Sequence, residues 1–522
     1  MQIEIYDCTL REGEQAAEAS FSQEDRVKLF EMLDDFGADY VELGWPVSQQ
    51  VLESFALCMK IRKKAKIVAF GSTSIVENPG DDKNILSILA SKADYACIFG
   101  KTWKEHVEKQ LHITAEENLK RISNSVEFLR ANGMKVFYDA EHFFDGYKDN
   151  KKYALETLMA AAKAGAERLI LCDTNGGTLP EEVNEIVNET KKSLEEREIK
   201  TELGVHFHND CGLALANSIV SLPYVKQIQG TINGTGERIG NLNFSEFLPV
   251  YIKKLARNHN VKLEKLKELN EAAYKLSGLE IPEIRPFIGD TAFAHKGGVH
   301  IDAHNKGASY QHEEPENFGN KRNILLTTLG GGAGVISAAE QFGYKLDKKN
   351  SDVQEKAARL FLELGEIERK GYRIAAIPAE QYLLIEKYFG NLKDFFEIES
   401  WKVETGKENG KETSKLYVRC NLNKIIKEEN TAADGGPVDL IYKTIKKILA
   451  KDYPDAENLQ LLDFHVSIAR SKKEESIVRV LITFQNEEKF QTVGVDSNII
   501  QSAIEAIEKG FRYYLNIKKS LS

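Results

Sequence analysis

No stretch of the sequence approaches about 18 uninterrupted apolar residues, so no membrane-spanning helix is expected. The opening, MQIEIYDCTLREGEQ, carries acids where a signal peptide needs basic residues and then an apolar core, so no secretion signal is expected. Basic charge is short: 70 Lys and Arg against 80 Asp and Glu leave a net charge of −10, a poor balance for binding nucleic acid. The six cysteines, Cys8, Cys58, Cys97, Cys172, Cys211 and Cys420, are scattered and form no CxxC pair. That argues against a disulfide framework or a structural zinc knuckle, and for buried thiols in a reducing cytoplasm. Low-complexity segments and solenoid repeats are missing too. What remains is an ordinary globular composition, 42% hydrophobic and 29% charged over 522 residues.

Up to residue 262, short β-rich runs alternate with amphipathic helical stretches. Eight candidate strands are IEIY (3–6), DYVEL (39–43), KIVAF (66–70), DYACIF (94–99), KVFYDA (135–140), RLILC (168–172), LGVHF (203–207) and IQGTI (228–232). Between them, SQEDRVKLFEMLDDFG offers Ser22 as an N-cap, Leu29, Met32 and Leu33 at helical spacing, and Gly37 as a stop. Strand–helix alternation implies a parallel sheet, and eight units in about 250 residues is the count of a closed (β/α)8 TIM barrel. An open sheet binding a dinucleotide needs a glycine fingerprint after its first strand, and only Gly13 lies there. Residues 263–395 read as mostly helical, with a polar His-bearing stretch at 294–316. Residues 396–522 read as a small α/β module, with ETGKENGKETSK (404–415) as an exposed loop and a helix entered at Pro437.

In such a barrel, reacting groups sit at the C-terminal strand ends. Arg11 and Glu12 follow strand one, Glu42 ends strand two, Glu141 follows strand five, and Thr174 follows strand six. His206 and His208 end strand seven, and Asn241 follows strand eight. Residues i and i+2 of a strand share a face, so both imidazoles enter the barrel mouth while Phe207 packs outward. Two neutral imidazoles with the Glu12 carboxylate, and an amide oxygen from Asn241, suit a catalytic Mg2+, Mn2+ or Zn2+; ligand type does not choose among them. The bland alternative is a hydrogen-bonded core pair. Arg11 beside a metal would help polarise a carbonyl and hold the alkoxide formed when a carbanion attacks it. Trp45, Phe99 and Trp103 are candidate walls for a small pocket, with ordinary packing the alternative.

DCTLREGEQ (7–15), ELGWP (42–46), FYDAEHFFDGYK (137–148), LCDTNGGTLP (171–180), HFHND (206–210), INGTGERIGN (232–241) and FAHKGGVH (293–300) resemble the citramalate synthases. These are DRE-type TIM-barrel metalloenzymes, grouped with 2-isopropylmalate and homocitrate synthases. GGPVDLIYKTI (435–445) and VGVDSNIIQSAIEAI (493–507) resemble the family's C-terminal regulatory domain, so the resemblance runs nearly end to end. It implies condensation of acetyl-CoA with pyruvate to (R)-citramalate and CoA, toward isoleucine. It implies a metal on Glu12, His206, His208 and Asn241, with Arg11 on the keto oxygen and Glu42 completing an acid–Arg–acid set. Thr174 would contact the substrate carboxylate and Glu141 would lie near the acetyl methyl. His300 and Tyr310 would come from the linker of the other subunit, with His300 in proton transfer. A homodimer and feedback by isoleucine follow from the same resemblance. Two stretches depart from it: Glu12 stands where most citramalate synthases have Asp and homocitrate synthases have Glu, and LGGGAGV (329–335) replaces a Ser-Gly-Arg stretch. The glycine run reads as a flexible loop. The rival readings are the same chemistry on a larger keto acid, a carbon–carbon lyase of the same barrel, and a non-catalytic amino-acid sensor.

Overall fold

Alternating strands and helices of the first half of the chain close into a barrel of eight parallel strands in the computed structural model, which describes residues 2–282, 284–295, 312–408, 411–471 and 476–521. The strands are β1 (Glu4–Asp7), β2 (Tyr40–Gly44), β3 (Lys66–Ser72), β4 (Tyr95–Lys101), β5 (Lys135–Glu141), β6 (Arg168–Asp173), β7 (Glu202–Phe207) and β8 (Val225–Gly230), with β8 paired to β1. Ser22 and Asp25 form a capping box at the start of the helix Gln23–Phe36, and Gly37, at φ 106°, ends it.

Outward-facing Val41, Leu43, Ile67, Val136 and Val205 pack into one large core with the surrounding helices. Each such side chain contributes roughly 1.5–3 kcal/mol by burial. Inside, Tyr6, Tyr40, Tyr95 and Phe137 fill the barrel, with Tyr95 and Phe137 ring centroids 4.8 Å apart. Two residues further along the same faces come Glu42 after Tyr40, and Asp139 and then Glu141 after Phe137. The inner face therefore turns from aromatic to ionisable toward the C-terminal strand ends.

The eighth strand lies earlier than the apolar pattern placed it. It is VKQIQG, not IQGTI, because Gln227 and Gln229 point into the barrel and break the apolar run that marks a strand in sequence. All six cysteines are free; Cys211 is exposed and the other five are buried.

Asp7 is fully buried at the end of β1. Burial pushes its carboxyl up to about 7, against hydrogen bonds from the Thr9 backbone N–H and hydroxyl, each 3.0 Å. A carboxyl raised above its unfolded value of about 3.9 gives stability that is full below about pH 4 and is lost as pH rises through about 7. Asp7→Asn removes that loss, because the Thr9 hydroxyl, which already accepts from the Ile232 N–H at 2.9 Å, can accept a second donor. The thermal midpoint of this variant is expected to fall less between about pH 5 and pH 8 than that of the parent; parallel slopes would refute the assignment.

Contacts divide the chain into two units, Met1–Phe293 with Glu313–Lys321, and Ala294–His312 with Arg322–Ser522. The second contains the helices Gly331–Gln341, Ser351–Lys370 and Pro378–Phe389, then two three-stranded antiparallel sheets. Strands Glu397–Glu408, Lys411–Leu422 and Ile425–Asp434 are followed by the helix Pro437–Ala450. Strands Gln460–Ser471, Ser476–Gln485 and Lys489–Asp496 are followed by the helix Ile499–Leu521. One core joins both sheets and both helices through Val418, Cys420, Ile441, Ile445, Ile482 and Phe511.

The expected loop 404–415 is instead largely strand: Glu404 pairs with Lys415 and Thr405 with Ser414 across an antiparallel ladder. Its charges lie on a solvated hairpin, where backbone pairing rather than apolar alternation holds the register. The glycine run at 331–334 is not a loop either but opens the helix Gly331–Gln341, whose Val335, Ile336, Ala338 and Ala339 are buried. Burial of that face outweighs the roughly 1 kcal/mol helix penalty of each glycine. Among the described residues, no helix is long and apolar enough to cross a membrane.

Candidate metal centre and active site

Beyond β1 the chain turns over the barrel mouth, with the N–H groups of Arg11 and Glu12 donating to Cys8 O at 3.1 and 2.8 Å. That turn brings the buried Glu12 above β7, where His206 and His208 project inward. Asn241 returns to the same place through the loop after β8, its N–H donating to Gly234 O at 3.0 Å, and it bridges His208. The return needs glycine: Gly240 lies at φ 98°, and a Cβ there would sit 2.0 Å from Gly234 O.

Glu12, His206 and His208 each offer a ligand atom, and all three lie within 4.8 Å of one another; His208 Nε2 is 4.0 Å from Glu12 Oε1. Glu12 Oε1 and Asn241 Oδ1 are buried without a hydrogen-bond partner. Orphaned acceptors cost about 1–3 kcal/mol each, so a cation bound here would satisfy both. The imidazoles are poised as ligands. Burial pushes His206 down to about 3 and also lowers His208, leaving both neutral at pH 7. Burial raises the Glu12 carboxyl, but Arg11 and then the two imidazoles outweigh it and hold it at about 2, so it is anionic. The residues present fit a divalent ion.

Arg11 is held between two acids. It pairs with Glu12 through Nη1, and its Nε donates to Glu42 Oε2 at 3.0 Å. Its guanidinium lies 3.9 Å over the centroid of Phe70, which stacks on Phe99 with Trp45 edge-on to both. Trp45 is anchored by its Nε1–H on Asn84 Oδ1 at 2.8 Å. Trp103 lies apart from this wall and packs on His106 at 4.7 Å between centroids. Glu42 is wholly buried, and burial pushes its carboxyl up to about 7 against the pull of Arg11.

Further round the rim, Glu141 pairs with Lys101 Nζ at 2.6 Å, and Thr174 Oγ1 accepts from the His142 N–H at 2.9 Å. Thus Arg11, Glu12, Glu42, His206, His208 and Asn241 form one connected group, while Glu141 and Thr174 occupy the neighbouring ends of β5 and β6. His300 and Tyr310 lie outside the described residues.

A family profile described as HMGL-like matches residues 2–272, more than half of the chain. The chain is 38% identical to the (R)-citramalate synthase of Sulfolobus acidocaldarius, over 99% of this chain and 97% of the relative. It is also 38% identical to the (R)-citramalate synthase of Aquifex aeolicus, over 98% of each. The chain belongs to the HMGL-like family, in its citramalate synthase branch. A 2-isopropylmalate synthase of Methanocaldococcus jannaschii, outside that branch, is 28% identical over 98% of this chain and 95% of the relative. Two more profiles match beyond the barrel, a homocitrate synthase post-HMGL domain-like segment at 287–362 and a LeuA allosteric (dimerisation) domain at 376–515.

Sequence reasoning missed polar members of this citramalate synthase barrel. Gln229 accepts from His206 Nδ1 at 3.0 Å and donates to Asp139 at 3.3 Å, and Lys101 pairs with Glu141. Asp139 had a signal, standing two residues before Glu141 on the same face. Gln229 was hidden by the displaced eighth strand.

Proposed function

We propose that the chain condenses acetyl-CoA with pyruvate to give (R)-citramalate and free CoA, in the route to isoleucine. The observation that carries this reading is the joined set of Glu12, His206, His208, Asn241 and the Arg11–Glu42 pair at one barrel mouth, in a chain of the citramalate synthase branch. Glu12, His206, His208 and Asn241 would hold a divalent ion (Mg2+, Mn2+ or Zn2+), which would supply Lewis-acid polarisation of the α-keto group. Arg11 donates its N–H groups to the keto oxygen as negative charge develops there, and Glu42 fixes the guanidinium from behind. Thr174 binds the substrate carboxylate. The wall of Phe70, Phe99 and Trp45 receives the pyruvate methyl group. Glu141, with His300 and Tyr310, moves the proton off the acetyl methyl; the resulting enolate attacks the keto carbon, and thioester hydrolysis releases CoA.

We assign residues 1–262 to catalysis, 263–395 to a linker and 396–522 to regulation, with a homodimer as the working unit in the cytoplasm. A surface on the second unit supports the dimer. Phe464 and Val466, on an edge strand, share a face with Ile482 and Val480, which are buried, yet Phe464 stays 46% exposed, and Ile468 further along is 67% exposed. An apolar edge of this kind suits a second copy. Phe464→Glu combined with Ile468→Glu is expected to shift the protein to monomer in sedimentation velocity; an unchanged dimer would relocate the interface.

The function is tested by CoA release with pyruvate, 2-ketoisovalerate and 2-oxoglutarate in parallel. Pyruvate is expected to be the preferred acceptor; activity with only a larger acid would replace this reading with that of an isopropylmalate or homocitrate synthase. Isoleucine added to the same assay is expected to lower the rate, and an unchanged rate would reject feedback through residues 396–522.

A further inference from the structure

Within the barrel, His206 does not stand alone. On the neighbouring strand β8, Gln229 is its register partner, and both side chains are buried. His206 Nδ1 lies 3.0 Å from Gln229 Oε1, and Gln229 Nε2 lies 3.3 Å from Asp139 Oδ1 on β5. That same Oδ1 accepts from Cys97 Sγ at 3.1 Å on β4. The four side chains cross the barrel from β4 to β7 beneath the candidate metal centre. By contrast, His208 Nδ1 is buried with no partner. Only one of the two imidazoles is therefore held by a side chain at its far nitrogen.

We infer that Asp139 and Gln229 are positioning residues that fix the tautomer of His206, so that its Nε2 lone pair faces the divalent ion. A carboxylate offers only acceptors, so Asp139 forces the Gln229 amide to present its N–H side to β5 and its oxygen to β7. The oxygen in turn requires a hydrogen on His206 Nδ1, which leaves the lone pair on Nε2. Without Asp139 the amide is free to turn over and offer an N–H to Nδ1. That stabilises the opposite tautomer, in which Nε2 carries the hydrogen and cannot ligate. Such outer partners are worth about 10–100-fold in metal affinity. The inference rests on the metal reading given above and adds to it two residues outside the ligand set.

The test is calorimetric titration of Mn2+ into the chelator-stripped full-length protein. Asp139→Asn keeps the volume but offers N–H donors as well as an oxygen, Asp139→Leu removes both, and Gln229→Met removes the amide at similar volume. Gln229→Met and Asp139→Leu are expected to raise the Mn2+ dissociation constant about 10–100-fold, and Asp139→Asn to raise it by less, because one of its two amide orientations still holds Gln229 as the parent does. The thermal midpoint of metal-free Asp139→Asn is expected to stay close to the parent value, whereas that of Gln229→Met falls because His206 Nδ1 loses its buried partner. Parent-like affinity in both Gln229→Met and Asp139→Leu would overturn the inference. If the parent itself binds no Mn2+, the metal reading fails; if the parent binds and the variants bind alike, the relay alone fails.

Discussion

A chain carrying both His206→Ala and His208→Ala is expected to release CoA at least about 1,000-fold more slowly than the parent. The reason lies in what remains of the site. Glu12 Oε1 and Asn241 Oδ1 are buried acceptors without a hydrogen bond, and neither alone holds a divalent ion against water. Loss of both imidazoles removes two of the three ligand atoms that lie within 4.8 Å of one another. Polarisation of a keto carbonyl is worth several kcal/mol, and each 1.36 kcal/mol is tenfold in rate. The same variant should show no heat of Mn2+ binding. Stripping the parent with a chelator should reproduce the loss, and restored Mn2+ should reverse it in the parent but not in the variant. Full turnover by the stripped parent, or by the double variant, would remove the metal from the mechanism.

Replacement of Arg11 is expected to affect stability and turnover through separate causes. Arg11→Ala leaves Glu12 and Glu42 facing each other in the barrel without their shared cation, and breaking a buried pair typically costs about 3–5 kcal/mol. It also deletes the donor assigned to the developing alkoxide, a loss of roughly 100–1,000-fold in rate. Arg11→Lys keeps the charge but loses the planar fork that spans two acids and the stacking over Phe70. Its rate should fall between those of the parent and the alanine variant. Adding Glu42→Gln to Arg11→Ala separates the effects. The thermal midpoint should recover part of its loss because one unpaired acid is gone, while turnover should not recover. An alanine variant within tenfold of the parent at saturating metal would show that Arg11 is structural only.

Much of the site was legible because its residues follow strands whose pattern is apolar and regular. His206 and His208 could be placed on one face from their spacing alone, and Glu12 and Glu42 from their positions at strand ends. The eighth strand was displaced because Lys226, Gln227 and Gln229 break its apolar run. Gln229 is tolerated there because the closed barrel gives it partners that no local pattern reveals, among them Asp139, ninety residues away in the chain. The hairpin at 404–415 misled for the opposite reason: charged residues on a largely exposed ladder carry no apolar alternation.

Sequence by itself determined the strand count, the rim that bears the ionisable groups and the two histidines on one face, because these depend on periodicities of two and 3.6 residues that any local segment displays. Only the tertiary structure decided that Arg11 is clamped between Glu12 and Glu42, that Glu12 Oε1 and Asn241 Oδ1 are left without a hydrogen-bond partner, and that Gln229 and Asp139 stand behind His206. Those facts are contacts between strands far apart in the chain, made when the sheet closes and water leaves its interior.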